Sequence, residues 1–223
     1  MVDEPVSSLN GHPTPTEKSP LRAMPLRARL VWLIVLWAVQ LLYVPINRLV
    51  QGGVVLDTPW DVYFALQPIW VIPYLLSLVW WVGCYLWAAL KMEEDLFRAF
   101  VTSFIAVMLA SYVIYILYPT YVVRPVVAED DWLSRIVAHL YANDRVNNAF
   151  PSGHTYNTAL IALFWSRWYP RRWWLWWSIT AIVLLSTLFT RQHNLPDLVG
   201  GLAFAWAGYR LGLWWATRRG GEA

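Results

Sequence analysis

Residues 97–118 read FRAFVTSFIAVMLASYVIYILY, an apolar run in which Arg98, next to its start, is the sole charge. At about 1.5 Å of rise per residue, a helix of this length covers the roughly 30 Å of a bilayer's hydrocarbon core. Outward from it, further apolar runs lie near 30–46, 66–90, 152–168, 173–190 and 197–216. Six candidate spans result, so the expected fold is an all-α integral membrane bundle of six transmembrane helices. The hydrophobic fraction of 58% in 223 residues favours this over a large soluble core. Charges collect between the runs, as they must where lipid excludes them.

Six spans put both termini on one side. That side collects Lys18, Arg22, Arg27, Arg29, Lys91, Arg98, Arg167, Arg171, Arg172, Arg210, Arg218 and Arg219, while the other has Arg48, Arg124, Arg135, Arg145 and Arg191. The excess of cations on cytoplasmic loops then places both termini in the cytoplasm. The net charge of +3 accordingly reports topology, and no nucleic-acid partner is expected.

Residues 1–29, rich in Pro, Ser and charge, are expected to be a disordered cytoplasmic tail. The membrane domain is expected over 30–217 and a short cytoplasmic tail over 218–223. The first apolar run starts late, is too long for a signal-peptide core and lacks a small-residue cleavage site, so it is expected to stay as the first anchor. Cys84, the single cysteine, lies inside an apolar run; it reads as a small buried hydrophobe and leaves no intrachain disulfide.

Trp173, Trp174, Trp176 and Trp177 follow Arg171 and Arg172 directly, where an interfacial aromatic belt would sit. The only sizeable loop is expected at about 119–150. Within it Trp132, Ile136, Val137 and Leu140 recur at helical spacing, which predicts an amphipathic helix on the membrane surface between the third and fourth spans.

Polar groups at span ends are ordinary singly, but here they fall at four ends that the topology brings to one outward face. Arg124 follows span three, Ser152 and His154 open span four, Arg191 and His193 close span five, and Asp197 opens span six. The segment Ala149-Phe150-Pro151-Ser152-Gly153-His154 starts a helix with free N–H groups at the positive end of its dipole, a setting that suits an anion as well as a plain N-cap. In His193-Asn194-Leu195-Pro196-Asp197, a histidine and an aspartate stand four apart across a helix start. A carboxylate on one imidazole nitrogen fixes the tautomer and leaves the other free to attack or accept a proton. Arg124 precedes Pro125, which holds the chain extended, and its guanidinium suits two phosphate oxygens. Cations, helix-terminal N–H groups, a nucleophile and a proton donor are what phosphoryl transfer needs. The acidic runs Glu129-Asp130-Asp131 and Glu93-Glu94-Asp95 read as solvated loops.

These residues resemble the signature of the type 2 phosphatidic acid phosphatase (PAP2) superfamily, whose motifs read Lys-x6-Arg-Pro, Pro-Ser-Gly-His and Ser-Arg-x5-His-x3-Asp. Here they stand as Arg124-Pro125, Pro151-Ser152-Gly153-His154 and His193-x3-Asp197, in the family's order over roughly residues 95–210. The resemblance implies a six-helix membrane core that needs no metal or other cofactor and a second histidine that becomes phosphorylated. Carried over, His193 is the nucleophile, Asp197 its orienting partner and His154 the proton donor, while Arg124, Ser152 and Gly153 hold phosphate oxygens. Two family cations are replaced, by Leu117 and Thr187; Arg191 stands close to His193 as a substitute for one of them. The segments Tyr118-Pro119-Thr120 and Ser186 to His193 are more similar to the divergent branch that includes inositol phosphorylceramide synthases, which transfers a phosphoryl headgroup to an alcohol.

The expected function is thus a lipid phosphate phosphatase in the cell membrane with its active site on the extracytoplasmic side. Alternatives are a phosphotransferase on the same machinery, a lipid-binding protein without turnover, and a metal centre on His154, His193 and Asp197. The expected partner is an amphiphile whose phosphate lies at headgroup level.

Overall fold

The protein's structure, a computed structural model, describes residues 24–220, so the expected tail up to residue 23 and residues 221–223 lie outside it. The described residues are helical and contain no strand; two isolated bridges, Val54 with Thr120 and Tyr121 with Asn147, tie loops together. The helices are α1 (Leu26–Leu41), α2 (Tyr43–Leu49), α3 (Val71–Lys91), α4 (Glu94–Leu117), α5 (Trp132–Asn143), α6 (Gly153–Trp168), α7 (Trp173–Phe189) and α8 (Leu195–Gly220).

Four helical stretches among the described residues are long and apolar enough to cross a membrane: Leu26–Leu49, Pro68–Lys91, Glu94–Leu117 and Pro170–Phe189. The expected fourth and sixth spans correspond to α6 and α8, which fall outside that set. Helix α6 has only 16 residues, and α8 carries Asp197, Arg210 and several glycines. Apolar side chains stand exposed along the four stretches, among them Ile34, Val79, Val113 and Ile116. An exposed apolar surface of this extent is what lipid covers and water does not.

Two boundaries correct the sequence reading. The first helix starts at Leu26, inside the stretch expected as tail, and breaks at Leu42. Pro45 explains the break, since it lacks the N–H that would bond back to Leu41. The loop at 119–150 is also not the only sizeable one. Residues 50–67 form a second, held by a turn at Pro59–Tyr63 in which Thr58 and Asp61 cap each other's backbone.

Helix α4 is the most enclosed of the four stretches and buries Phe97, Phe100, Phe104, Met108 and Tyr115. It packs on α8, and α8 packs on α6. A side chain at Gly212 would run into Ser103 Oγ and the Ala99 carbonyl of α4, so small residues let these backbones close. Gly201 does the same at the other end: a Cβ there would lie 2.6 Å from Thr155 Cβ and 2.9 Å from the Ser152 carbonyl oxygen. This close approach sets the start of α8 against the start of α6, where the polar residues gather.

Candidate active site

Helix α8 begins after a short turn-containing loop that follows α7, and its first turn carries Asp197, only 1% exposed. Asp197 Oδ2 accepts the Asn194 N–H at 2.9 Å and lies 3.6 Å from His193 Nδ1. That second contact is an approach of charge to ring and too long for a hydrogen bond. Asp197 also receives the Ser152 N–H on its backbone carbonyl at 3.0 Å, which couples the two motif segments directly. The His193 N–H donates to the Thr187 carbonyl at 3.2 Å, so the backbone of one replaced family position holds the histidine although its side chain bears no charge.

Ser152 caps α6, its Oγ accepting the Thr155 N–H at 3.3 Å. Gly153 and His154 occupy the first turn, where N–H groups have no carbonyl one turn back to bond. The His154 ring stacks on Tyr74 with centroids 4.2 Å apart and leans on Trp81 at 5.0 Å. These rings fix its plane and leave Nε2 buried without a partner. The centroids of the His154 and His193 rings are 6.2 Å apart.

Between them opens a cavity of about 300 Å³ lined by both histidines, Gly153 and Arg124. The Arg124 guanidinium donates to the carbonyls of Asp144 at 2.6 Å and Arg145 at 3.2 Å, and to Gln192 Oε1. It also lies 4.7 Å above the Tyr141 ring of α5. A cation held on four sides is pre-set for an anion.

Arg191 is placed differently. Its guanidinium donates to the Asp61 carbonyl at 3.0 Å and lines a neighbouring cavity, which Arg124 also borders. Arg145, which sequence reasoning did not single out, lines the cavity that holds the histidines. Leu117 is 77% exposed at the end of α4, away from that cavity's lining, and Thr187 is fully buried.

Other lining residues were missed in the sequence: Tyr43, Tyr74, Trp81, Asp144, Asn148 and Gln192. Tyr43 donates its hydroxyl to Asp144 Oδ1 at 2.8 Å. Burial pushes the Asp144 carboxyl above the ordinary aspartate range, against that hydrogen bond and the charge of Arg124. Asn148 is held at a φ of 63°, is 3% exposed, and has no partner on either side-chain amide atom. Two consecutive asparagines ahead of Phe150-Pro151 were the available signal for it. No group of three or more His, Cys, Asp or Glu suited to a metal ion occurs among the described residues.

The family model described as the PAP2 superfamily matches residues 99–220. Lipid A 4'-phosphatase of Porphyromonas gingivalis is 38% identical over 56 residues, a match that covers 24% of this chain and 24% of that protein. The chain thus spans about a quarter of the length of this curated relative. No solved structure matches.

Proposed function

The chain belongs to the PAP2 superfamily, and from that premise we propose that it is a membrane lipid phosphate phosphatase working through a phosphohistidine. The observation that carries this reading is the shared cavity: His193 backed by Asp197, His154 facing it, and Arg124 alongside. The phosphatase relative supports the same class.

Chemically, Asp197 engages Nδ1 of His193 and leaves Nε2 for the phosphorus. The N–P bond forms as the ester P–O bond breaks, and His154 protonates the departing alkoxide. His154, now neutral, takes a proton from water as its oxygen attacks phosphorus; the N–P bond breaks and phosphate leaves. Arg124 and the N–H groups of Gly153 and His154 neutralise charge on the phosphoryl oxygens, with Ser152 capping the helix that presents them. Contacts such as the 3.6 Å approach of His193 to Asp197 tighten once substrate is bound.

In this reading the bundle crosses the membrane six times with both termini cytoplasmic, as the Lys and Arg asymmetry favours. Helix α5 then rests at the outer surface over the cavity, and the site faces out of the cytoplasm. An alcohol in place of water would turn the same intermediate toward transfer, a reading favoured by the similarity of Ser186 to His193 to the transferase branch.

The test is phosphate release from a panel of phospholipid and polyprenyl phosphates by detergent-solubilised protein. Release that is independent of any alcohol and lost in His193→Ala supports hydrolysis; a new phosphodiester that requires an alcohol supports transfer. Release unaffected by His193→Ala refutes both.

A further inference from the structure

The catalytic groups use only part of the cavity, and the remainder has the wrong chemistry for phosphate alone. Asn148 brings an amide NH2 and an amide oxygen, both unpartnered, into a site where it is 3% exposed. Its backbone sits at a φ of 63°, a conformation that costs a non-glycine residue energy and persists where the surroundings enforce it. Gln192 adds a second free donor, Nε2. Asp144 adds a carboxylate, of which Oδ1 is already engaged by Tyr43.

A phosphate dianion offers acceptors only. It would satisfy the amide donors but leave Asn148 Oδ1 bare and set a like charge against Asp144, and both outcomes are costly in a buried site. An ammonium has the opposite defect, offering donors only. A hydroxyl donates and accepts, so one or two hydroxyls satisfy the Asn148 amide and give Asp144 a donor. We infer that Asn148 and Asp144 form a hydroxyl-binding subsite beside the phosphate, so that the preferred substrate carries free hydroxyls on the group that bears its phosphate, as a sugar or other polyol headgroup does. The inference rests on reading the cavity as a lipid phosphate site.

The test uses matched amphiphiles in detergent with the full chain: octyl glucoside 6-phosphate, octyl phosphate, and octyl glucoside with inorganic phosphate. Binding is measured by calorimetry and phosphate release in parallel. The added hydrogen bonds predict at least tenfold tighter binding of the sugar phosphate than of octyl phosphate. Asn148→Gly removes the amide and suits the positive φ, so it does not threaten folding. It should bring the two affinities within about twofold by weakening the sugar phosphate far more than octyl phosphate, and Asp144→Asn, which can still accept from Tyr43, should narrow the gap severalfold. Equal binding by the wild type, or an equal loss for both ligands in Asn148→Gly, would overturn the subsite. So would octyl glucoside plus phosphate binding as well as the ester, which would assign the hydroxyls to a separate acceptor. A preference in binding with no release refutes the phosphatase and leaves the subsite standing; release without preference does the reverse.

Discussion

His193 Nδ1 lies 3.6 Å from Asp197 Oδ2, and that same oxygen is held by the Asn194 N–H at 2.9 Å. The carboxylate is therefore anchored by the loop that carries the histidine, and its direction does not depend on the imidazole. Asp197→Asn keeps the shape and removes the charge. It is expected to lower kcat by about 10²- to 10⁴-fold with little change in KM, because the charge matters most as His193 takes on positive character in the transition state. Steady-state phosphate release checks this, and an equal rise in KM would count against an orienting role.

The two arginines should separate. Arg124 faces the histidines with its guanidinium held by Asp144, Arg145 and Gln192, so Arg124→Ala is expected to cost about 10²-fold or more in kcat/KM. Arg124→Lys should recover little, since a point charge does not reproduce the planar fork. Arg191 spends its guanidinium on the Asp61 carbonyl and has a φ of 52°. Arg191→Gly, which suits that backbone, should cost less than about tenfold.

Charge in this site comes from Arg124 and helix N–H groups, and Asp197 is committed to its own loop. Phosphate release is accordingly expected to continue at an undiminished rate after exhaustive treatment with a strong chelator. Loss of activity restored by a divalent metal would favour the metal reading of His154, His193 and Asp197.

Asp144 supplies a pH signature. Its folded carboxyl is raised by burial, so the folded state prefers it protonated and stability is lost as pH rises. The loss begins at the ordinary aspartate value, where the unfolded chain ionises, and is complete above the raised folded value. Asp144→Asn should remove this dependence and raise the Tm at neutral pH, as thermal unfolding in detergent at a series of pH values will report.

Much of this architecture was legible in the chain because lipid imposes long apolar runs and pushes charge to their ends. The runs near 97–118 and 173–190 became α4 and α7 with ends shifted by a few residues. His154, His193 and Asp197 were legible because their motifs lie at or next to helix ends, and Arg124 because it lies in the loop that follows α4, and counting helices brings those ends together. The break at Leu42 and the loop at 50–67 were not, since both depend on single prolines and caps inside otherwise ordinary stretches. Asn148 and Asp144 were hidden for another reason. Their meaning comes from burial beside Tyr43 and Arg124, groups about 100 and 20 residues away along the chain.

The central claim is a covalent phosphohistidine on His193. The direct measurement is a rapid quench with a ³²P-labelled lipid phosphate, followed by peptide mapping, for the wild type, His154→Ala and His193→Ala. The account predicts acid-labile, base-stable label on His193, accumulation in His154→Ala where water is poorly activated, and none in His193→Ala. Steady phosphate release with no labelled protein in the wild type or His154→Ala, or label that survives His193→Ala, would contradict it.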